Sequence, residues 1–260
     1  MSTSVRRSFA IQMRIVHALL LREIITRYGR HGLGFLWLFC EPMLFTGGVL
    51  AIRLAFHFHE GPLPLAPFCI SGYATVLAWR NGIGRCGTAI EPNRSLTYHR
   101  NVRVIDLYAA RILLELAGTT MSFLFLYSLL LAFGLVPVPY DLLSMLGAWA
   151  LLCGFITAMA LVIGPLSSLS ESFDRLWHVF SYLFLPASGA FFTVSMLPTG
   201  VRGAALWVPT VTVTELLRYG IFGPGFAAKY AVGYVLAVTL VLLVPGLFLV
   251  RHVQRSLEGA

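Results

Sequence analysis

Six apolar stretches dominate this 260-residue chain, and each is about long enough to cross a lipid bilayer. They are Leu33–Ala55, Leu65–Ile83, Leu113–Phe133, Leu142–Ile163, Leu176–Leu197 and Tyr230–Val250. A helix rises ~1.5 Å per residue, so roughly 20 residues cover a hydrocarbon core of ~30 Å. Most of the stretches lack the polar stripe of a helix at the surface of a soluble protein. The sequence therefore predicts an all-α membrane protein with six transmembrane helices.

Basic residues lie mostly on one side of these predicted spans. Only 12% of the residues are charged, about half of the ~25% that is usual in soluble domains. If both termini are cytoplasmic, thirteen arginines lie inside: Arg6, Arg7, Arg14, Arg22, Arg27, Arg30, Arg85, Arg94, Arg100, Arg103, Arg175, Arg251 and Arg255. The outer loops His57–Pro64 and Gly134–Asp141 contain no Lys or Arg. The bias follows the positive-inside rule, so topology explains the net charge of +8 without a nucleic-acid partner.

The residues before the first span are predicted to form an amphipathic helix at the cytoplasmic membrane surface. Its apolar face consists of Leu20, Leu21, Ile24, Ile25 and Tyr28, and its polar face of Arg22, Glu23, Thr26 and Arg27. The arginines of such a helix face lipid headgroups or a protein partner. A simple lipid anchor is the alternative interpretation. Met1–Gly32 has no apolar core of the length that a cleaved signal peptide needs.

The segment Pro198–Ala228 does not fit simple hydropathy. Its apolar part is interrupted by Pro209 and ends at Glu215 and Arg218. A full crossing here would place the C-terminal arginines outside and weaken the charge bias. We therefore predict a periplasmic re-entrant helical hairpin, buried in protein or lining a water-filled cavity. One transmembrane domain then contains the interface helix (1–32), spans one to five (33–197), the re-entrant segment (198–229), the sixth span (230–250) and a cytoplasmic tail (251–260).

Glu41 and Pro42 stand about two turns inside the first span, counted from its cytoplasmic end. Proline removes a backbone hydrogen bond and kinks a helix. A carboxylate at the centre of a membrane helix costs on the order of 2.5–3.5 kcal/mol, so Glu41 is predicted to face protein or water. The pair is interpreted as a kink with a polar contact at a subunit interface or gate. A cap or an ion pair near the inner interface is the alternative. Arg111 and Glu115, four residues apart, are predicted to pair along one helix.

The chain lacks the lysine that a nucleotide-binding loop of the GxxxxGK[ST] type needs. The only lysine, Lys229, is flanked by Ala228 and Tyr230, so the chain has no phosphate-binding GxxxxGK[ST] loop. Energy from ATP must therefore come from another chain, and no catalytic residue or cofactor is predicted in this one.

The predicted outer segments also contain few residues that could bind a metal or act as acid–base catalysts. The outer carboxylates Glu60, Asp141 and Glu215 include no adjacent pair, which disfavours a membrane glycosyltransferase. His57, His59 and Glu60 share one short outer loop, where such side chains are more often solvated than bound to a metal. No metal site is predicted.

Six stretches, in chain order, carry a resemblance to a known family. They are LLLREIITRYGRHGLGFLWLFCEPM (Leu19–Met43), SGYATVLAWRN (Ser71–Asn81), SLTYHRNVRVIDLYAARILLE (Ser95–Glu115), FDRLWH (Phe173–His178), LPASGAFF (Leu185–Phe192) and TELLRYGIFGPG (Thr214–Gly225). The chain resembles, over nearly its whole length, the permeases of polysaccharide-export ABC transporters. Its Glu-Pro pair is similar to that of the capsular polysaccharide branch, whereas O-antigen and teichoic-acid relatives more often carry Asn-Pro.

This resemblance implies a half-transporter without its own ATPase. Two copies of the permease would form a homodimer with two copies of a cytoplasmic ATP-binding subunit, which holds ATP and Mg²⁺. The complex would move a lipid-linked polysaccharide from the cytoplasm across the inner membrane of a Gram-negative bacterium, and periplasmic and outer-membrane export proteins would carry it onward. Glu91–Arg103 would contain the coupling helix that docks on the ATPase, and Leu20–Arg30 the interface helix at the entrance. The coupling residues predicted in this loop are Glu91, Arg94, Tyr98 and Arg100, with Tyr98 as a buried anchor.

A polysaccharide is longer than the membrane is thick, so it must thread through a continuous passage, predicted to lie between two permeases. Flat aromatic faces and hydrogen-bonding groups suit sugar rings. The candidates are Tyr28 and Arg30 at the entrance, Trp79 and Arg80 further in, and Phe191, Phe192, Glu215, Arg218 and Tyr219 at the exit. Glu215 is the predicted ion-pair partner of Arg218. The alternative is that the aromatic residues pack, or form an interfacial belt.

Other functions remain open at this level. Within the same class, the polymer could be an O-antigen or a teichoic-acid-type chain. A secondary transporter should place acids at mid-membrane for ion coupling, but the acids here lie mostly near the cytoplasmic ends. A polytopic glycosyltransferase should show clustered outer carboxylates.

Overall fold

The computed structural model describes residues 2–28, 33–55, 63–96 and 102–258, which form helices and turns without a strand. Within these ranges the helices are α1 (Ser2–Tyr28), α2 (Leu33–Ala55), α3 (Leu65–Gly84), α4 (Val104–Ala132), α5 (Leu142–Leu169), α6 (Glu171–Leu183), α7 (Thr199–Ala205), α8 (Pro209–Phe222) and α9 (Val232–Glu258). Short 3₁₀ turns cover Glu91–Leu96, Leu185–Ser188, Val194–Met196 and Gly223–Gly225. The all-helical prediction is confirmed.

Three of the described helices, α4, α5 and α9, are long and apolar enough to cross a membrane. Asp141 caps α5 by accepting a hydrogen bond from the Leu143 amide at 3.0 Å. A hydrogen bond from the Ser144 hydroxyl also holds the pKa of the Asp141 carboxyl below its usual value. At the other end, α5 continues through Pro165 to Leu169. The helices extend beyond the predicted spans, and most of the predicted cytoplasmic tail is part of α9.

Side-chain contacts set the directions of these helices around α5. α9 runs parallel to α5, because Gly154 of α5 faces Thr239 of α9 and, further along both helices, Leu161 faces Gly246. In α4 the direction is opposite, because the Tyr108 hydroxyl lies 3.1 Å from that of Ser168, near the C-terminal end of α5. The bundle thus has two ends. We call the one that contains residues 85–96, 164–175 and 253–258 the Arg85 end, and the one that contains residues 133–142 and 220–232 the Asp141 end.

The fifth predicted span, Leu176–Leu197, is not one continuous helix. The only α-helix in this stretch is the second half of α6, a helix of 13 residues. α6 begins at a cap where the Ser170 hydroxyl accepts a hydrogen bond from the Phe173 amide. A 3₁₀ turn with Pro186 follows, and Gly189 then adopts a left-handed conformation with φ of 87°. Proline cannot continue the hydrogen-bond ladder of a helix, and a left-handed residue ends it. Hydropathy alone does not detect this break.

The segment predicted as a broken hairpin contains α7 and α8. Pro209 does not interrupt a helix but starts α8, a position where its missing amide is harmless. Thr214 lies 3.1 Å from Thr75 and Arg218 lies 3.3 Å from Ser71, so α8 runs antiparallel to α3. The middle of α8 therefore lies level with the middle of α3, and its last turn reaches the Asp141 end.

Candidate functional site

A polar cleft of about 590 Å³ opens at the Arg85 end of the bundle. It lies between the segment after α3, the junction of α5 with α6, and the last turns of α9. Its polar lining includes Glu91, Arg94, Ser167, Glu171, Asp174, Arg175 and Ser256. Two residues of the predicted coupling loop, Glu91 and Arg94, thus lie in this lining. Tyr98 and Arg100 lie outside the described residues.

At Gly87 the chain lies close to side chains of the other walls of the cleft, because glycine has no Cβ atom. A Cβ atom at this position would stand 2.7 Å from the Asp174 carboxylate and 3.0 Å from the Ser167 Cβ. The buried Ser167 hydroxyl has no hydrogen-bond partner within the described part of the chain. Glu171 and Arg175 pair at 3.2 Å but are more than four-fifths exposed, so this ion pair contributes little stability. The lining therefore offers exposed groups of both charges to an incoming polar surface.

The N-terminal helix contacts this region through its polar face. Val16 and Leu19 pack on Leu107 and Ala110 of α4. Arg22 donates to the Asn93 side-chain oxygen at 2.9 Å, and Glu23 forms an ion pair with Arg111 of α4. The face predicted for lipid headgroups or a protein partner instead binds the chain's own α4 and 3₁₀ turn.

The opposite, apolar face of α1 is partly exposed. Leu21 and Ile25 are about half exposed. Membrane lipid can cover such side chains, whereas Arg22 and Glu23 find charged and polar partners inside the chain, which buried charges require. Tyr28 ends α1, but its side chain is not among those described, and Arg30 lies outside the described residues.

Glu41 of α2 has a partner on the next helix. Its two carboxylate oxygens each accept from Arg85 at 3.1 Å. The Arg85 Nε atom also lies 3.5 Å from Glu115 of α4. Within this one chain, the ion-pair interpretation of Glu41 is therefore the one that the geometry supports. Pro42, the other residue of the predicted kink, lies inside α2, and its side chain is outside the described set.

The predicted passage residues separate into buried and exposed ones. Trp79 is only 2% exposed and lies 4.7 Å from the Phe184 ring and 5.8 Å from the Trp177 ring, centroid to centroid. Within this chain Trp79 and Trp177 are core residues, and neither lies on an open surface. The neighbouring Arg80 donates to the Tyr182 hydroxyl at 2.7 Å, and its guanidinium lies 4.2 Å from that ring centroid.

Exposed aromatic side chains remain near the Asp141 end. Phe191 is 39% exposed and contacts Tyr73 edge-on, with ring centroids 5.3 Å apart. Phe192 is half-buried, and the Tyr219 ring lies 5.9 Å from the Tyr230 ring at an angle of 56°. Sequence reasoning missed Tyr73 and Tyr182. For Tyr73 a signal existed, since it precedes Arg80 by seven residues and so shares its side of α3.

Arg218 and Glu215 are fully buried in α8, at 0% and 1% exposure. Among the described groups no ion pair within 4.0 Å joins them, so the predicted direct contact is not formed. Arg218 instead donates to the carbonyls of Phe192 and Ala190 at 2.6 and 3.1 Å, and to Ser71 at 3.3 Å. A buried charge needs such partners, and backbone carbonyls can supply them.

Glu215 holds two other backbone segments. Its oxygens accept from the amides of Val194 and Lys229, both at 3.1 Å. Together, Glu215 and Arg218 fix the irregular chain before α7 and the chain before α9 against α8. Both side chains therefore stabilise the packing of these segments, and in this conformation they do not line an open exit.

Long apolar helices, a polar cleft at one end and internally paired charges define a helical membrane protein. The chain is 41% identical over 260 residues to the capsule polysaccharide export inner-membrane protein CtrC of Neisseria meningitidis serogroup B. It is 38% identical over 257 residues to the protein of the same description, BexB, from Haemophilus influenzae. Each alignment covers 98% of this chain and 97% of the relative.

A more distant relative is the polysialic acid transport protein KpsM of Escherichia coli, with 30% identity over 267 residues, 97% of this chain and 98% of that protein. No protein-family model matches the chain. The identities over nearly full length show that the chain belongs to the family of capsule polysaccharide export inner-membrane proteins. The resemblance found in the sequence is confirmed.

Proposed function

We propose that this chain is the membrane-spanning permease of an ATP-driven exporter that moves lipid-linked capsular polysaccharide from the cytoplasm across the inner membrane. The observation that carries the proposal is the near-full-length similarity to proteins named for capsule polysaccharide export. A homodimer of this permease would bind two copies of a cytoplasmic ATPase, which supplies ATP and Mg²⁺. Periplasmic and outer-membrane export proteins would receive the polymer. The shared names favour capsule over O-antigen or teichoic-acid-type polymers.

The proposed topology has six crossings with both termini in the cytoplasm. Glu41 contacts Arg85 and Phe45 lies near Tyr73, so α2 is antiparallel to α3, and α4 is antiparallel to α5. These directions support the topology, as does the position of Arg94, Arg103, Arg175 and Arg255 towards the Arg85 end. The fifth crossing would combine α6 with the 3₁₀ turn that follows. The hairpin of α7 and α8 would enter from the periplasm and return to it, which is possible because protein buries α8.

The cleft at the Arg85 end is proposed as the ATPase-coupling site. It combines acidic, basic and hydroxyl groups on three chain segments, and such a mixed rim suits a polar protein surface better than lipid. The 3₁₀ turn Glu91–Leu96 forms one wall and continues into the segment with Tyr98. We propose that this segment fills a groove on the ATPase, with Tyr98 as its anchor.

The passage is proposed to lie between two protomers. Phe191 with Tyr73, and Arg80 with Tyr182, would present aromatic faces and hydrogen-bond donors to sugars, because part of each pair is exposed. Tyr28 and Arg30 at the entrance, and Phe192 and Tyr219 at the exit, would complete it. Trp79, Glu215 and Arg218 would support this lining from behind.

The test of this function is reconstitution with the partner ATPase. The purified permease alone should hydrolyse no ATP, because its only lysine is not in a phosphate-binding loop. Addition of the ATPase should give ATP-dependent export of lipid-linked capsule polymer into vesicles, and a broken P-loop in the ATPase should abolish it. Hydrolysis by the permease alone, or export driven by an ion gradient without ATP, would refute the assignment.

A bulky side chain in the cleft should weaken ATPase binding. Ser256 lies in the last turns of α9, is exposed and lines the cleft. Ser256→Trp is expected to raise the Kd of the permease for its ATPase by about tenfold or more, the effect of ~1.4 kcal/mol lost at an interface. Co-purification and a binding titration measure this change. His252→Trp is the matched control, since His252 is exposed on the same helix but lies outside the cleft. Wild-type affinity of the Ser256→Trp variant would place the docking surface elsewhere.

A further inference from the structure

We propose that Arg85 is a positioning residue that transmits movement of the 85–96 segment to α2 through Glu41. This inference rests on the proposed function, because it assumes that the ATPase moves this segment. It assigns the Arg85–Glu41 ion pair a role in coupling ATP hydrolysis to export, beyond holding two helices together.

Arg85 stands at the hinge between α3 and the coupling segment. It is the C-terminal cap of α3, where its amide donates to the Asn81 carbonyl. Its guanidinium reaches Glu41 on α2 at 3.1 Å and Glu115 on α4 at 3.5 Å. A planar guanidinium can hold two carboxylates in fixed directions at once, which an ammonium group cannot. A rotation of the chain at Arg85 therefore acts directly on Glu41.

The rest of the segment is fastened to other helices. The Thr88 carbonyl accepts from Arg111 of α4 at 3.1 Å, and Arg111 is paired with Glu23 of α1. The Asn93 side chain accepts from Arg22 of α1. Glu23 and Arg111 are about nine-tenths buried, so solvent screens their attraction little. These contacts fasten the segment to α1 and to the start of α4, and Arg85–Glu41 is an ion pair that joins it to α2.

The position of Glu41 makes α2 responsive to such a pull. Pro42 follows it and has no amide hydrogen, so α2 lacks one backbone hydrogen bond at this turn and bends more easily. Further along α2, Leu44 and Phe45 are about half exposed, and Phe45 lies 6.1 Å from the Tyr73 ring. A change in the angle of α2 at Pro42 would shift this exposed face, which borders the proposed passage.

The test measures complex recovery, ATP hydrolysis and export for Arg85→Gln, Glu41→Gln and the double variant, each with the partner ATPase. Both single variants are expected to assemble and to hydrolyse ATP within about twofold of wild type, while export falls by about tenfold, within the range of measured coupling effects. The double variant should export no worse than the more impaired single variant, because both remove one link. Arg85→Lys should restore only part of the export. Arg255→Ala, an exposed arginine of α9, should leave all three quantities unchanged.

Two outcomes would overturn this role. One is normal export by both single variants. The other is a parallel loss of complex recovery, hydrolysis and export, which indicates a purely structural ion pair. If Arg85→Gln fails to assemble, Glu41→Gln decides, because its side chain is 44% exposed and its loss leaves Arg85 beside Glu115. A wild-type complex without ATP-dependent export would instead refute the proposed function itself, and this role with it, before the variants are compared.

Discussion

Replacement of Arg218 by alanine is expected to lower the free energy of unfolding of the permease by roughly 2–5 kcal/mol, the usual effect of a large-to-small substitution in a core that also leaves buried acceptors unpaired. The guanidinium is fully buried and donates to Ser71 and to the carbonyls of Phe192 and Ala190. Its removal leaves these acceptors without a donor and opens a cavity beside the Phe68 ring, 4.1 Å away. The thermal unfolding of purified permease in detergent measures the loss.

Two further variants make this measurement specific. Arg218→Lys keeps the charge but loses the forked geometry, so an intermediate loss is expected. Arg255→Ala removes an exposed arginine and should leave the unfolding temperature almost unchanged. If Arg218→Ala were as stable as Arg255→Ala, the buried hydrogen bonds of Arg218 would not be supporting the fold. Reduced export by an unstable variant would in any case say nothing about the passage.

Gly72→Ala is the second substitution with a large expected effect. A Cβ atom at Gly72 would lie 2.3 Å from the Ala190 carbonyl oxygen, a backbone atom that also accepts from Arg218. Since a backbone segment cannot turn away as a flexible side chain can, a loss of about 1–3 kcal/mol or more is expected. The yield and the thermal stability of the purified permease report it, and export should fall in proportion to the yield.

A second glycine supplies the matched control. Gly147 in α5 has no atom within 4 Å of its would-be Cβ. Gly147→Ala should therefore be neutral or stabilising by up to ~1 kcal/mol, because alanine favours a helix over glycine. A Gly72→Ala variant as stable as Gly147→Ala would show that the 189–194 segment can retreat from α3. Arg218 would then not fix its position.

The buried contacts of Arg218 also change the role that is assigned to the predicted exit residues. An isolated charge in a membrane is costly, so Arg218 needs polar partners. Glu215 was predicted as the partner because it lies three residues away on the same helix. The tertiary structure supplies Ser71, 147 residues away, and two carbonyls from the irregular chain after α6. Arg218 thereby holds Phe191, which remains exposed, at the Asp141 end.

Local chemistry was enough for much of this protein. Apolar length determines whether a helix can cross a bilayer, so the sequence alone predicted the helices α4, α5 and α9 and the all-α class. Glu91 and Arg94, which the resemblance predicted as coupling residues, both line the cleft. The six quoted stretches gave the family, because they preserve residue types in order along the whole chain.

Features that depend on distant partners were decided only by the tertiary structure. Arg22 and Asn93 are 71 residues apart, and Glu41 and Arg85 are 44 apart, so no local pattern joins them. The burial of Trp79 depends on Trp177 and Phe184, which reach it from α6 and the turn beyond. Hydropathy is also blind to backbone conformation, so it could not show that the fifth apolar stretch breaks after Leu183. Apolar length predicts where a helix can lie, whereas packing against other segments determines where it ends and which charges it pairs.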